Sequence, residues 1–270
     1  MSQVKPFIKW VGGKQRLVKY INPPINRFNY VEPFIGGGSV MLHILQNYDV
    51  QKCLINDLNP DIYSMWGIVK NDSNRLIKHL KNLLNSFYET DDRSEFYYTY
   101  RDIYNNSKDV FERVVLLIFL NKSCFRGLYR INSKGKFNTS FGRTEKVKIN
   151  FEAIKQCSEL LNTYDVEITN FDFYDTLELI NTSEPTFVYF DPPYYGAFNQ
   201  YYKDKFNLAD WQQLLNYCNY LNEFENVYFC VSSSDVDEIK DMFSDYNQSI
   251  VNVFQSMDNK NTNELFITNY

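Results

Sequence analysis

The feature that most constrains this chain is an unbroken apolar run that stops on two prolines: Thr186, Phe187, Val188, Tyr189 and Phe190, then Asp191, Pro192, Pro193 and Tyr194. A β-branched and aromatic run of this length reads as a buried strand, the kind found inside a mostly parallel sheet. The prolines fix φ and carry no N–H donor, so the strand ends in a rigid turn and the Pro192 carbonyl is free to accept a hydrogen bond. An amino group can donate to Asp191 and to that carbonyl together. Its nitrogen lone pair then turns out of conjugation toward an incoming methyl group, with Tyr194 placed to stack on the ring that bears the amine.

The flanks of the chain supply such a sheet. Strand-like runs at 30–34, 52–56, 166–169, 226–231, 248–254 and 264–270 join helical patterns after Gly38 and around 209–221, which is βαβ grammar. Residues 60–121 differ, because Leu76, Leu80, Leu83 and Leu84, then Val114, Val115, Leu117 and Ile118, carry helical spacing without strand signals. This predicts an inserted helical domain. From 125 to 141, aromatic segments flank Asn132-Ser133-Lys134-Gly135-Lys136, a turn-rich centre that predicts a β-hairpin. The expected division is a catalytic α/β domain in two parts, 1–57 and 149–270, around a helical segment at 58–148.

Charge sharpens that division. The 270 residues carry a net charge of -5, which taken alone argues against a nucleic-acid partner. Residues 58–148 nevertheless hold 16 Lys and Arg against 10 Asp and Glu, a net +6, while the remainder holds 12 against 23, a net -11. Residues 113–148 contain nine basic side chains and one acidic, Glu145. That local patch reads either as a phosphate-binding surface or as a solvated loop.

Five cysteines, odd in number and without a C-x-x-C pair, signal neither a disulfide framework nor a zinc site, and imply a reducing compartment. No signal-peptide pattern opens the chain, and the apolar run at 114–120 is too short to span a bilayer. A cytoplasmic location is expected. His43 and His79 sit in helical patterns without partner ligands, so no catalytic triad and no metal site is expected.

A second motif, Glu32-Pro33-Phe34-Ile35-Gly36-Gly37-Gly38-Ser39, lies between a strand and a helix, and Asp57 follows 21 residues past Gly36. Glycines there let the backbone approach a ligand closely, and an acidic residue at the next strand end can accept from ribose hydroxyls. The spacing is not G-x-G-x-x-G and no Lys-Ser/Thr follows, so an adenosine-like ligand is favoured over a dinucleotide or a nucleoside triphosphate. A tight turn at the glycines and a helix cap at Asp57-Leu58-Asn59-Pro60 are the plainer alternatives. Tyr195, Phe198, Tyr201, Tyr202 and Phe206 form an aromatic loop that either closes over a base or packs.

Taken together, Phe7-Ile8-Lys9-Trp10-Val11-Gly12-Gly13-Lys14, Glu32 to Gly38, Ile55-Asn56-Asp57, Asn121 to Gly142, Asp191 to Tyr194 and Glu264-Leu265-Phe266-Ile267-Thr268-Asn269-Tyr270 resemble the D12 class, the Dam-like alpha group, of N6-adenine DNA methyltransferases. The resemblance covers nearly the whole chain. It implies a Rossmann-like class I methyltransferase sheet with an inserted helical target-recognition domain and β-hairpin. It also implies S-adenosyl-L-methionine as cofactor, double-stranded DNA as partner, and base flipping into the Asp191-Pro192-Pro193-Tyr194 pocket. A cognate restriction endonuclease is a further partner that the resemblance leaves open.

By the same resemblance, Trp10, Lys14, Glu32, Phe34, Gly36, Gly38, Asp57 and Asp191 would hold the cofactor, with Asp172 and Phe173 beside its adenine. Lys9, Lys122, Arg126, Leu128, Arg130, Asn132, Ser140 and Arg143 would meet DNA, with Arg130 suited to guanine O6 and N7. Arg126 stands where the family usually has Asn, and Phe137-Asn138-Thr139-Ser140-Phe141-Gly142 replaces the usual Phe-Asn-Val-Pro-Phe-Gly, with Thr144 where a Tyr is common. These departures weigh against a GATC target, frequent in the family. Competing readings are transfer to another planar amine, such as cytosine N4, an RNA adenine or a glutamine amide, and a non-catalytic DNA-binding protein that keeps the fold. A Rossmann oxidoreductase is disfavoured by the glycine spacing.

Overall fold

The structure is a computed structural model that describes residues 3–196, 206–255 and 260–270. Strand β1 (Arg27–Glu32), helix α1 (Ser39–Asn47) and strand β2 (Asp49–Asn56) open the chain, and helices α2 (Pro60–Glu89), α3 (Arg93–Asn106) and α4 (Val110–Ser123) follow. After α4 come α5 (Phe151–Thr163), β3 (Val166–Thr169), α6 (Phe173–Leu177), β4 (Thr186–Phe190) and α7 (Leu208–Leu221). Strand β5 (Val227–Ser234), helix α8 (Asp237–Met242), β6 (Asn247–Gln255) and β7 (Lys260–Thr268) close the chain.

The strands form a seven-stranded sheet in the order β3-β2-β1-β4-β5-β7-β6. Strands β1 to β5 are parallel, and β7 runs antiparallel between β5 and β6. This is the mostly parallel, Rossmann-like sheet expected. Every residue of β4 is buried. Phe187 and Tyr189 join the core on one face, and Val188 and Phe190 join the core on the other, which is why the strand is apolar without alternation.

The order reverses between β1 and β4. Open α/β sheets hold ligands outside the carboxyl ends of strands at such a switch point, because adjacent connections leave in opposite directions and open a crevice. Both motifs fall there. Strand β1 ends at Glu32, earlier than the run 30–34 suggested, because Pro33 cannot donate to a ladder and Ile35 N–H turns aside to Asn56 O at 2.8 Å.

Helix α2 starts on an Asn59 cap with Pro60 in its first turn, and kinks at Asp72 (φ -144°, ψ 36°). Asp92 and Asp109 cap α3 and α4 in the same way. Residues 114–121 of α4 are buried all round, so this helix is the centre of the helical layer. One buried cluster runs from Met41 on α1 through Trp66 and Leu80 on α2 and Leu117 on α4 to Tyr129 and Phe137.

The expected hairpin at 125–141 is less regular than the pattern implied. It pairs antiparallel at Cys124 with Phe141 and at Ile131 with Phe137, with no named strand between them. A 3-10 turn at Phe125–Gly127 interrupts extension, with Arg126 at φ 56° and Gly127 at φ 71°. Positive φ cannot continue a strand, so the segment returns on itself through local bonds. Asn132 Oδ1 accepts from Lys134 N–H and Lys136 N–H, and Thr139 Oγ1 donates to Leu128 O at 2.8 Å.

Candidate active site

The switch point opens into a cavity of about 300 Å³. Trp10, Lys14, Glu32, Phe34, Gly36, Gly38, Asp57, Asp191, Pro192, Pro193 and Tyr194 all line it. Asp172 and Phe173 are not among the lining residues. Asp172 caps α6, and Phe173 packs on Phe34 at 5.3 Å between ring centroids. Of the aromatic loop, Phe206 packs on Phe34, Phe173 and Trp211, while Phe198, Tyr201 and Tyr202 lie outside the described residues.

The glycines have a specific use. Gly36 has φ 45°, and a Cβ there would lie 2.6 Å from the Trp10 indole. Gly38 has φ 71°, and a Cβ would lie 2.4 Å from the Trp66 ring, whose Nε1 donates to Gly36 O at 3.0 Å. The close approach that requires glycine is therefore to two indoles of the protein itself. Asp57 holds the same turn, accepting from Gly36 N–H at 2.9 Å and from Asn59 N–H at 2.9 Å.

Across the cavity, Lys14 Nζ lies 2.7 and 2.8 Å from the two carboxylate oxygens of Asp191 and donates to Gly12 O at 2.6 Å. It also lies 3.5 Å from Glu264. Burial opposes the charge of Lys14, but Asp191 and Glu264 together hold its pKa above the ordinary lysine value. Ser232 Oγ donates to Asp191 Oδ1 at 2.9 Å and receives the Tyr189 hydroxyl at 2.9 Å. Lys14 is 3% exposed, Glu264 8% and Asp191 19%, so of these three charged side chains Asp191, which lines the cavity, is the most accessible from it.

Two features were not visible in the sequence as site residues. Glu264 receives a hydrogen bond from the Tyr194 hydroxyl, and Ser232 braces Asp191. The signal for each was a polar residue at the end of an apolar strand run. Glu32 is likewise buried, bonded by Tyr30 Oη at 2.7 Å, and burial pushes its carboxyl well above the usual range despite that bond.

On the helical side, Asn121 clamps the main chain of Lys9, with Lys9 N–H to Asn121 Oδ1 at 3.0 Å and Asn121 Nδ2 to Lys9 O at 2.7 Å. Lys9, Arg126, Arg130, Asn132, Ser140 and Arg143 are exposed, and Lys122 and Leu128 are half-buried. Arg130 Nε donates to Asn138 Oδ1 at 2.8 Å, which aims its guanidinium along the hairpin. Tyr129 points inward, its ring 4.9 Å from that of Trp10. Thr139 is buried, its carbonyl receiving the Tyr97 hydroxyl at 2.8 Å.

Among the described residues no group of His, Cys, Asp and Glu is arranged to hold a metal ion, and no helix is long and apolar enough to cross a membrane. The cysteines are buried and unbridged.

A glycine turn at one strand end, an acid at the next and a proline-bounded carboxylate across the switch point make the ligand crevice of an open α/β enzyme. The chain belongs to the D12 class of N6 adenine-specific DNA methyltransferases, whose sequence profile matches residues 10–259. It is similar to the type II methyltransferase M.MjaIII of Methanocaldococcus jannaschii, 37% identical over 91% of this chain and 90% of that one. It is 29% identical to the type II methyltransferase M1.LlaDCHI of Lactococcus lactis subsp. cremoris over 99% and 96%. The DNA adenine methylase of Escherichia coli K12 is 30% identical over 79% and 75%. The chain is thus an S-adenosylmethionine-dependent, adenine-specific DNA methyltransferase.

Proposed function

We propose that Asp191, Pro192, Pro193 and Tyr194 receive an adenine extruded from duplex DNA and present its N6 amine to a methyl group held in the adjoining cavity. The observation that carries this reading is Asp191 itself, braced by Lys14 and Ser232 yet open to the cavity. S-adenosylmethionine suits the lining: Asp57 offers a carboxylate to ribose, Phe34 an apolar wall, and the site has an excess of acid to match a sulfonium. Trp10, Lys14, Glu32, Phe34, Gly36, Gly38, Asp57 and Asp191 would hold it, with Asp172 and Phe173 supporting the Phe34 wall. When bound it supplies an electrophilic methyl.

The chain's own residues then have distinct tasks. Asp191 and the Pro192 carbonyl accept the two amine hydrogens and turn the lone pair toward the methyl. Tyr194 supports the face of the base. Asp191 offers negative charge as N6 becomes cationic. Positioning of this kind can supply roughly 7 to 11 kcal/mol of barrier lowering.

Residues 58–148 are the target-recognition domain in this reading, between catalytic parts 1–57 and 149–270. Lys9, Lys122, Arg126, Leu128, Arg130, Asn132, Ser140 and Arg143 form its DNA contacts, with phosphates taken by the basic side chains and a guanine by Arg130. Thr139 faces the core, so Arg126, Ser140 and Thr144 are the departures that bear on the target sequence. A type II modification role accords with the names of the relatives from Methanocaldococcus jannaschii and Lactococcus lactis; a cognate endonuclease and a cytoplasmic setting belong to the same reading.

The test is Asp191→Asn beside Asp191→Ala. Methylation of adenine should vanish while S-adenosylmethionine and DNA still bind measurably by calorimetry and anisotropy. Turnover like that of the wild type in either variant overturns the assignment. Sequencing modified adenines in exposed plasmid DNA reports the target motif.

A further inference from the structure

We propose that Glu264 is a positioning residue for methyl transfer, fixing the ring of Tyr194 and sharing with Asp191 the single ammonium of Lys14. The inference rests on the reading of Asp191 to Tyr194 given above. Glu264 stands on β7 opposite Ser234 of β5, and its side chain is almost wholly buried. A carboxylate is costly to bury, so its presence at the head of an otherwise apolar strand segment calls for partners. It has them in the site: the Tyr194 hydroxyl donates to it, and Lys14 Nζ lies 3.5 Å away.

The geometry holds Tyr194 from two directions. Its hydroxyl is tied to Glu264, and the Lys14 ammonium lies 4.9 Å from the ring centroid. The ring cannot swing without breaking one of these contacts, and a flipped base needs a fixed ring plane to stack upon. The acceptors of Lys14 are Gly12 O, Asp191 and Glu264, which anchors the ammonium between the carboxylates.

Charge adds a second consequence. The formal charges of Lys14, Asp191 and Glu264 sum to -1; burial raises the pKa of Glu264 against the pull of Lys14, and it also raises those of the neighbouring Glu32, Tyr189 and Tyr194, which face the same charges. A net negative cluster favours the cation that develops on N6 during transfer. With a neutral residue at 264 the cluster becomes neutral, and Lys14 pairs with Asp191 alone.

The test is single-turnover transfer of a labelled methyl group to a duplex of the protein's own target sequence, at saturating S-adenosylmethionine. Glu264→Gln keeps an acceptor for Tyr194 but loses the charge, and should slow transfer roughly tenfold. Glu264→Ala loses both and should slow it roughly a hundredfold, with the dissociation constants of cofactor and DNA changing less than about threefold. Tyr194→Phe breaks the same contact from the other side, so adding it to Glu264→Ala should cost little more. Losses that multiply in that double variant, wild-type transfer in Glu264→Ala, or losses of affinity that match the loss of rate overturn the proposal. If Glu264→Ala does not fold, Glu264→Gln decides: an unchanged rate overturns the proposal. A wild-type protein that leaves adenine unmethylated contradicts the proposed function instead.

Discussion

Lys122 shows how much a single side chain depends on its surroundings. Burial and then the positive charge of Lys9 hold its pKa down to about 8. A phosphate beside it would restore the charge, so DNA binding takes up a proton, and affinity should weaken as pH rises through that value. Between pH 7 and 9 the loss should be about tenfold in the wild type and absent in Lys122→Gln, read by fluorescence anisotropy at fixed salt. A flat wild-type profile removes Lys122 from the DNA surface. Gly38 gives a second residue-scale expectation. With φ 71° and the Trp66 ring in the space of a Cβ, Gly38→Ala should cost about 2 to 4 kcal/mol, read from denaturant midpoints. An unchanged midpoint contradicts that account.

Among the elements, the helical layer is tied together by polar bonds as well as by its apolar core. Asp61 at the start of α2 accepts from Arg113 of α4 at 2.6 and 2.9 Å and from Tyr104 of α3 at 2.5 Å. Tyr129 reaches the same cluster at 3.5 Å from the Tyr104 hydroxyl and also packs, tilted, against the ring of Trp10. Removing the carboxylate strands Arg113, which is 27% exposed, so Asp61→Ala should destabilise by about 3 kcal/mol, the lower end for a buried pair. Thermal melting checks this, and a loss below about 1 kcal/mol would make the cluster dispensable. Strands β3 and β4 were legible residue by residue, because their apolar runs are bounded by turn chemistry. The hairpin was legible only as a turn-rich segment, since a positive φ at Arg126 has no pattern in a non-glycine residue.

For the whole molecule, the division of charge matters more than its sum. A chain of net -5 carries nine basic residues against one acidic over residues 113–148, and Arg126, Arg130, Lys134, Lys136, Arg143, Lys146 and Lys148 of these are exposed. Long-range repulsion from the acidic remainder is screened beyond about 8 Å at physiological salt, so the patch can act locally. If about five phosphates are neutralised, the logarithm of DNA affinity should fall with the logarithm of salt at a slope of about -4 to -5. Charge reversal at Lys134 and Lys136 together should flatten that slope; an unaltered slope would place the phosphates elsewhere.

By itself the sequence determined the parallel sheet, the helical insertion, the proline-fixed turn at Asp191 and most of the cavity lining. Each of these rests on chemistry within a few residues: apolar period, proline, glycine, a capping side chain. Only the tertiary structure decided that Lys14 serves Asp191 across 177 residues, that Glu264 holds Tyr194 across 70, and that Gly36 and Gly38 make room for Trp10 and Trp66. Pairings of that kind depend on which strand ends the sheet order brings together. Placing β5 between β4 and β7 brings Ser232 and Glu264 to the end of β4, and the segment before β1 brings Lys14 there, so all three meet around Asp191 and Tyr194.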